Sequence, residues 1–143
     1  YEFEDSDRVI ESRCGADIPW IFDVEGEKGF RARESSIIEE LCHATGLVLA
    51  TGGGAVLAEQ NRRNLAGCGS VVYLRASVEQ QFERTHRDKN RPLLQTDNPR
   101  EILSNLFEVR DPLYLSVADI VIHTDNKSPK SVVKQIVTKL NES

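Results

Sequence analysis

Two aspartates, Asp5 and Asp7, close the opening segment Tyr1-Glu2-Phe3-Glu4. Carboxylates at the end of a strand can hydrogen-bond hydroxyls, hold Mg2+ through water, or accept a proton from an attacking alcohol. In an extended segment Tyr1, Phe3, Asp5 and Asp7 share one side, so the sequence predicts that the acids continue an apolar, inward row. Capping of a following helix by Asp7, with Asp5 solvated, is the plainer alternative. Arg31 and Glu34 form an i,i+3 pair at a helix start after a Gly26–Gly29 loop. On a surface such a pair is worth only about 0.2–0.5 kcal/mol; at a site it would fix a guanidinium for an anionic substrate, whose carboxylate the Arg fork matches. Gly52 to Gly54 follow the aliphatic run Leu47-Val48-Leu49-Ala50-Thr51. They read either as a flexible turn or as backbone bared to a ligand at a strand's carboxyl end. Arg110 lies four residues after Leu106, on that helix's apolar face, and there requires an anion or helix C-terminal carbonyls. The segment 84–98 is polar and basic in its first half, with Arg84, Arg87, Lys89 and Arg91 suited to polyphosphate. It reads as a solvated linker or as an active-site lid.

The elements that must position these groups alternate between strand and helix. Tyr1–Glu4 read as the end of a strand, followed by a short helix capped by Ser6 or Asp7 and stopped by Gly15. A helix is predicted over 34–45, buried strands over 47–51 and 71–74, and a shorter helix over Glu59–Leu65. Ser77 caps a helix to about Arg87; Ile102, Leu103, Leu106 and Phe107 mark another helix, Ile120–Ile122 a strand, and Val132 to Leu140 a closing helix. Strands separated by helices imply an α/β fold, a parallel sheet with helices on both faces.

With 143 residues, 39% of them hydrophobic and 29% charged, the chain has the size and composition of one ordinary globular domain. A net charge of −5 argues against nucleic acid or an acidic membrane surface as the main partner. No apolar run approaches the roughly 20 residues of a membrane span. Cys14, Cys42 and Cys68 are widely spaced and odd in number, fitting neither a metal motif nor a disulfide framework, which suits a reducing cytoplasm.

Taken together and in order, several segments resemble the shikimate kinase family over essentially the whole chain. These are Phe3-Glu4-Asp5-Ser6-Asp7, Gly15-Ala16-Asp17-Ile18-Pro19-Trp20-Ile21-Phe22, Gly29-Phe30-Arg31-x-Arg33-Glu34, Thr51-Gly52-Gly53-Gly54, Arg91-Pro92-Leu93-Leu94, Arg110-Asp111-Pro112-Leu113-Tyr114 and Thr124-Asp125-Asn126-x-Ser128-Pro129. The resemblance implies a P-loop kinase-like three-layer sandwich with a parallel sheet. It also implies transfer of the γ-phosphoryl of ATP to the 3-hydroxyl of shikimate, with Mg2+, by a cytoplasmic monomer. On that resemblance Asp7 binds the substrate hydroxyls and receives the proton. Arg31 and Arg110 clamp the substrate carboxylate, and Gly53 and Gly54 offer backbone N–H groups. Arg91 is the lid arginine on the ATP phosphates, Arg84 and Lys127 lie by the adenine, and Asp5 stands behind the Mg2+ waters. Phe22 and Phe30 would wall the pocket.

One departure from the family pattern is plain: the phosphate loop Gly-x-x-x-x-Gly-Lys-Ser/Thr does not occur in these residues. The family carries it just upstream of the segment matched by Tyr1–Asp7. The expectation is therefore a sheet lacking its first strand and P-loop helix, inactive toward ATP without them. A domain that binds a small acid without catalysis, or a kinase of another small hydroxy acid, are the alternative functions; a neutral sugar would leave the paired arginines without an anion.

Overall fold

The computed structural model describes residues 1–86 and 98–142. These fall into two compact units, Tyr1–Gly69 and, beginning at Ser70, the remainder.

In the first unit β1 (Glu2–Asp5) pairs in parallel with β2 (Leu47–Ala50), Asp5 opposite Ala50. The strand gives way at once to α1 (Ser6–Cys14), so Asp7 sits in a first helical turn and not in the alternating row. That row is not inward: Tyr1 is 101% and Phe3 65% exposed. The cap is Asp5, whose side chain accepts from the Asp7 N–H at 2.9 Å, and not Ser6 or Asp7. A side chain placed just before the first turn meets the unpaired amides there, and Asp5 holds that place. Gly15, at φ 73°, ends α1 in the left-handed conformation.

Asp17 caps α2 (Ile18–Leu41) by accepting from the Trp20 N–H at 3.0 Å, with Pro19 in the first turn. This helix is longer than the one predicted, and residues 26–29 are no loop. The chain passes through a single non-helical residue, Gly26 at φ 72°, and resumes the helix. Arg31 and Glu34 thus sit inside α2. Ile10, Ile21, Phe30 and Ile37 form the core where α1 and α2 pack, with Phe22 against it. After β2 the glycines lead into a 3-10 turn (Gly53–Leu57) and α3 (Glu59–Cys68).

In the second unit β3 (Val72–Arg75) pairs in parallel with β4 (Ile120–His123). Between them lie α4 (Val78–His86) and α5 (Pro99–Val117), and α6 (Pro129–Glu142) follows β4. Ser77 caps α4 as predicted, its Oγ accepting from the Gln80 N–H at 3.2 Å. All strand pairs are parallel, as the sequence requires, but the described strands form two ladders of two and not one sheet. β2 and β3, expected to be buried, are half-buried, with Val48 and Leu74 about half exposed.

Candidate functional site

The carboxyl end of β2 carries the chemistry of the first unit. A Cβ built on Gly52 would lie 3.1 Å from both oxygens of Asp7, and one built on Gly54 would lie 2.5 Å from Nη1 and 2.6 Å from Cζ of Arg31. The carboxylate and the guanidinium therefore press on glycines two residues apart, at most about 7 Å of chain. Side chains are excluded here because charged groups already occupy the space. The sequence takes Gly52 to Gly54 together and the resemblance names Gly53 and Gly54; the structure sets Gly52 against Asp7.

Arg31 is held from three sides. Its Nη1 donates to Glu34 Oε1 at 2.9 Å, its Nε lies 3.6 Å from Glu27 Oε1, and its guanidinium stands over the Phe30 ring at 5.3 Å. Phe30 is buried and stacks on Phe22 with centroids 4.9 Å apart. Glu34 is only 1% exposed. The pair is thus no solvated surface bridge; a charge taken from water this far must be matched by a fixed partner.

The glycine turn is braced from α3. Asn61, 1% exposed, donates its Nδ2 to the Ala55 carbonyl at 3.0 Å, and Arg62 donates to the Val56 carbonyl at 2.6 Å. Neither residue stands out in the sequence, although Asn61 follows Gly54 by only seven positions.

In the second unit two loops at the carboxyl ends of β3 and β4 are tied together. Thr124 Oγ1 donates to the Arg75 carbonyl at 3.1 Å and Asp125 Oδ1 accepts from the Ser77 N–H at 3.0 Å. That backbone hydrogen bond holds the Asp125 carboxyl below its usual range. Arg84 reaches the same place, its Nη2 donating to Thr124 Oγ1 at 3.4 Å. Lys127 donates to Gln135 Oε1 at 3.2 Å, and Asn126 between them takes φ 59°. Arg84 thus reaches Thr124, at the head of the loop that carries Lys127.

Arg110 is half-buried in α5, and its Nε is buried with no hydrogen-bond partner among the described residues. It lies well before the last turn of α5, so helix C-terminal carbonyls do not account for it. Its neighbour Asp111 is the better-tied residue. Asp111 accepts from the Tyr73 hydroxyl at 2.6 Å and from Arg75 Nε and Nη2 at 3.0 and 3.3 Å. Arg75 holds the Asp111 carboxyl below its ordinary range, while burial and then the Asp111 hydrogen bond push the Tyr73 phenol up. Arg87, Lys89 and Arg91, and most of the expected lid, lie outside the described residues.

Fold and site define an α/β protein with parallel strands whose carboxyl ends present an Asp, a fixed Arg and bare glycine backbone, the equipment for a small hydroxy acid. The shikimate kinase family model matches residues 1–141. A shikimate kinase of Pseudomonas aeruginosa (strain LESB58) is 58% identical over 140 residues, 98% of this chain and 81% of that protein. Among solved structures, the shikimate kinase of Acinetobacter baumannii in complex with shikimate has a TM-score of 0.96 at 49% identity, covering 99% of this chain and 79% of that one. The Aquifex aeolicus shikimate kinase has a TM-score of 0.84 at 35% identity, covering 98% and 81%. The chain belongs to the shikimate kinase family.

Proposed function

We propose that this domain, joined to a phosphate loop, transfers the γ-phosphoryl of ATP to the 3-hydroxyl of shikimate, giving shikimate 3-phosphate and ADP. The observation that carries the reading is the convergence of Asp7 and Arg31 on Gly52 and Gly54. Arg31 binds the substrate carboxylate from one side of the glycine turn, with Arg110, whose buried Nε lacks a partner among the described residues, as the second carboxylate ligand. Gly53 and Gly54 offer backbone N–H groups to the ring substituents, and Asp7 accepts hydrogen bonds from the hydroxyls. As the 3-hydroxyl oxygen forms its bond to the γ-phosphorus, the bond from phosphorus to the ADP oxygen breaks and the hydroxyl proton passes to an Asp7 carboxylate oxygen.

Mg2+ supplies charge neutralisation on the β- and γ-phosphates. Asp5 would fit a water-mediated role toward it, since the Asp7 amide engages Oδ1 and the carboxylate has a second oxygen to accept from a metal-bound water. Arg84 and Lys127, on the two sides of the Thr124 network, are the adenine-side residues, and Arg91 is the lid arginine on the phosphates. A cytoplasmic, monomeric protein is part of the same proposal, and its three free cysteines suit a reducing compartment. No helix among the described residues is long and apolar enough to cross a membrane.

Shikimate-dependent release of ADP, measured with this sequence carrying a phosphate loop upstream of Tyr1, tests the proposal. Turnover with shikimate and none with its carboxamide is the expected result. Equal turnover of both would refute the carboxylate clamp, and shikimate binding without any turnover would leave an acid-binding domain.

Gly54→Ala separates the turn's role in binding from its role in folding. The new methyl meets the far end of a flexible side chain, and Gly54 does not need a positive φ. That end is the guanidinium held by Glu34, so stability should fall by about 1–3 kcal/mol, the range for overpacking. Displacing the guanidinium by even about 1 Å should weaken shikimate binding tenfold or more. A thermal melt beside a calorimetric titration reads both; a large melting shift with unchanged affinity would assign Gly54 to folding alone.

A further inference from the structure

We propose that Asp111 is a positioning residue for carboxylate recognition: tied to Tyr73 and Arg75, it sets the rotation of α5 and thereby the direction of Arg110. This rests on the reading of Arg110 as a carboxylate ligand. Pro112 lies inside α5 one residue after Asp111. Proline lacks an N–H, so the carbonyl four residues before it loses its helical donor and the helix is locally less self-determined. Where the backbone ladder is weakest, contacts outside the helix decide its rotation. Asp111 supplies them: it is only 9% exposed, and both its oxygens are engaged by β3. Tyr73 and Arg75 are two residues apart on the strand, so they face the same side and grip the carboxylate together.

The grip is itself fixed. The Tyr73 ring packs on Tyr114 with centroids 4.7 Å apart, and the Arg75 guanidinium lies 5.1 Å from the Phe107 ring centroid. Tyr114 and Phe107 are both on α5, one turn either side of Asp111. The helix is thus clasped at three successive levels, and Arg110 projects from its middle. Arg110 itself contributes no hydrogen bond from Nε to this clasp, so its direction is inherited.

Discrimination between shikimate and its neutral carboxamide, read by calorimetry on this sequence carrying a phosphate loop upstream of Tyr1, tests this without relying on stability. Asp111→Asn keeps the shape and an acceptor for Tyr73 but loses the charge facing Arg75. It should lower the preference for the carboxylate about tenfold and leave the affinity for the carboxamide and for a nucleotide unmoved. Tyr73→Phe, which keeps both charges, should shift the preference in the same direction by a few-fold. With Arg110→Lys already present, Asp111→Asn should have little further effect, because both changes act through one contact. If Arg110→Lys leaves the preference intact, the carboxylate reading of Arg110 fails. If Arg110→Lys abolishes it while Asp111→Asn and Tyr73→Phe do not, the positioning role alone is overturned. Equal losses for shikimate, carboxamide and nucleotide would also overturn it, marking Asp111 as a fold contact.

Discussion

Arg31→Ala is expected to lower stability by about 3–5 kcal/mol and shikimate affinity by a further 2–5 kcal/mol or so. The stability loss follows from Glu34, which is 1% exposed and accepts the Arg31 Nη1 at 2.9 Å. Removing the guanidinium takes away the donor to Glu34 Oε1, and losing one charged partner of a buried carboxylate costs far more than the pair contributes. The binding loss has a different origin, since the substrate carboxylate would lose its bidentate donor. The two are separable. Adding Glu34→Gln to Arg31→Ala removes the buried charge that Arg31 balanced and should return a good part of the lost stability, while affinity stays low. Chemical denaturation and titration of the single and double variants read the two quantities. If the double variant recovered affinity together with stability, Arg31 would be holding the fold and not the acid.

The parts legible in the sequence were those whose signal is local. Gly15, Ser77 and the apolar runs of β2, β3 and β4 mark their elements within a residue or two. Asp7, Arg31 and the glycine turn stood out because their residue types have a narrow chemistry, and Asp7 and Arg31 meet on that turn. Misreadings came from competition between two local rules. Alternation along Tyr1–Asp7 predicts an inward acidic row, but Asp5 caps a helix that starts one residue later, and the capping rule wins. Two glycines at 26 and 29 read as a loop, yet one positive φ at Gly26 suffices to turn the chain between helical stretches. What no local rule reaches is contact at long range. Tyr73 and Asp111 are 38 apart in the chain, and nothing near either position announces the other. Asn61 likewise looks like any polar helix residue until Ala55 folds back over it.

Asp7→Asn should reduce turnover about 10²–10⁴-fold, the range for losing a positioned proton acceptor, with shikimate binding weakened much less. Asparagine has the same shape, and Asp7 sits in the first turn of α1 with both oxygens facing Gly52, so the fold has no reason to change. The amide still accepts a hydrogen bond from a substrate hydroxyl. It cannot take the proton, and it removes a negative charge beside the hydroxyl that becomes the nucleophile. Because phosphoryl transfer proceeds through a loose transition state, the proton leaves late, and an effect at the low end would mean that Asp7 acts mainly by orienting the hydroxyl. The pH dependence distinguishes these roles. With a carboxylate as acceptor, kcat/KM must fall as acid protonates it, since only the ionised form can receive the proton. The Asn variant should be slow at every pH and lack that acidic limb. Steady-state rates across the acidic range, on the parent and the variant with a phosphate loop in place, give the answer. A variant that kept both the parent rate and the acidic limb would place the proton acceptor elsewhere and leave Asp7 as a ligand of the substrate hydroxyls.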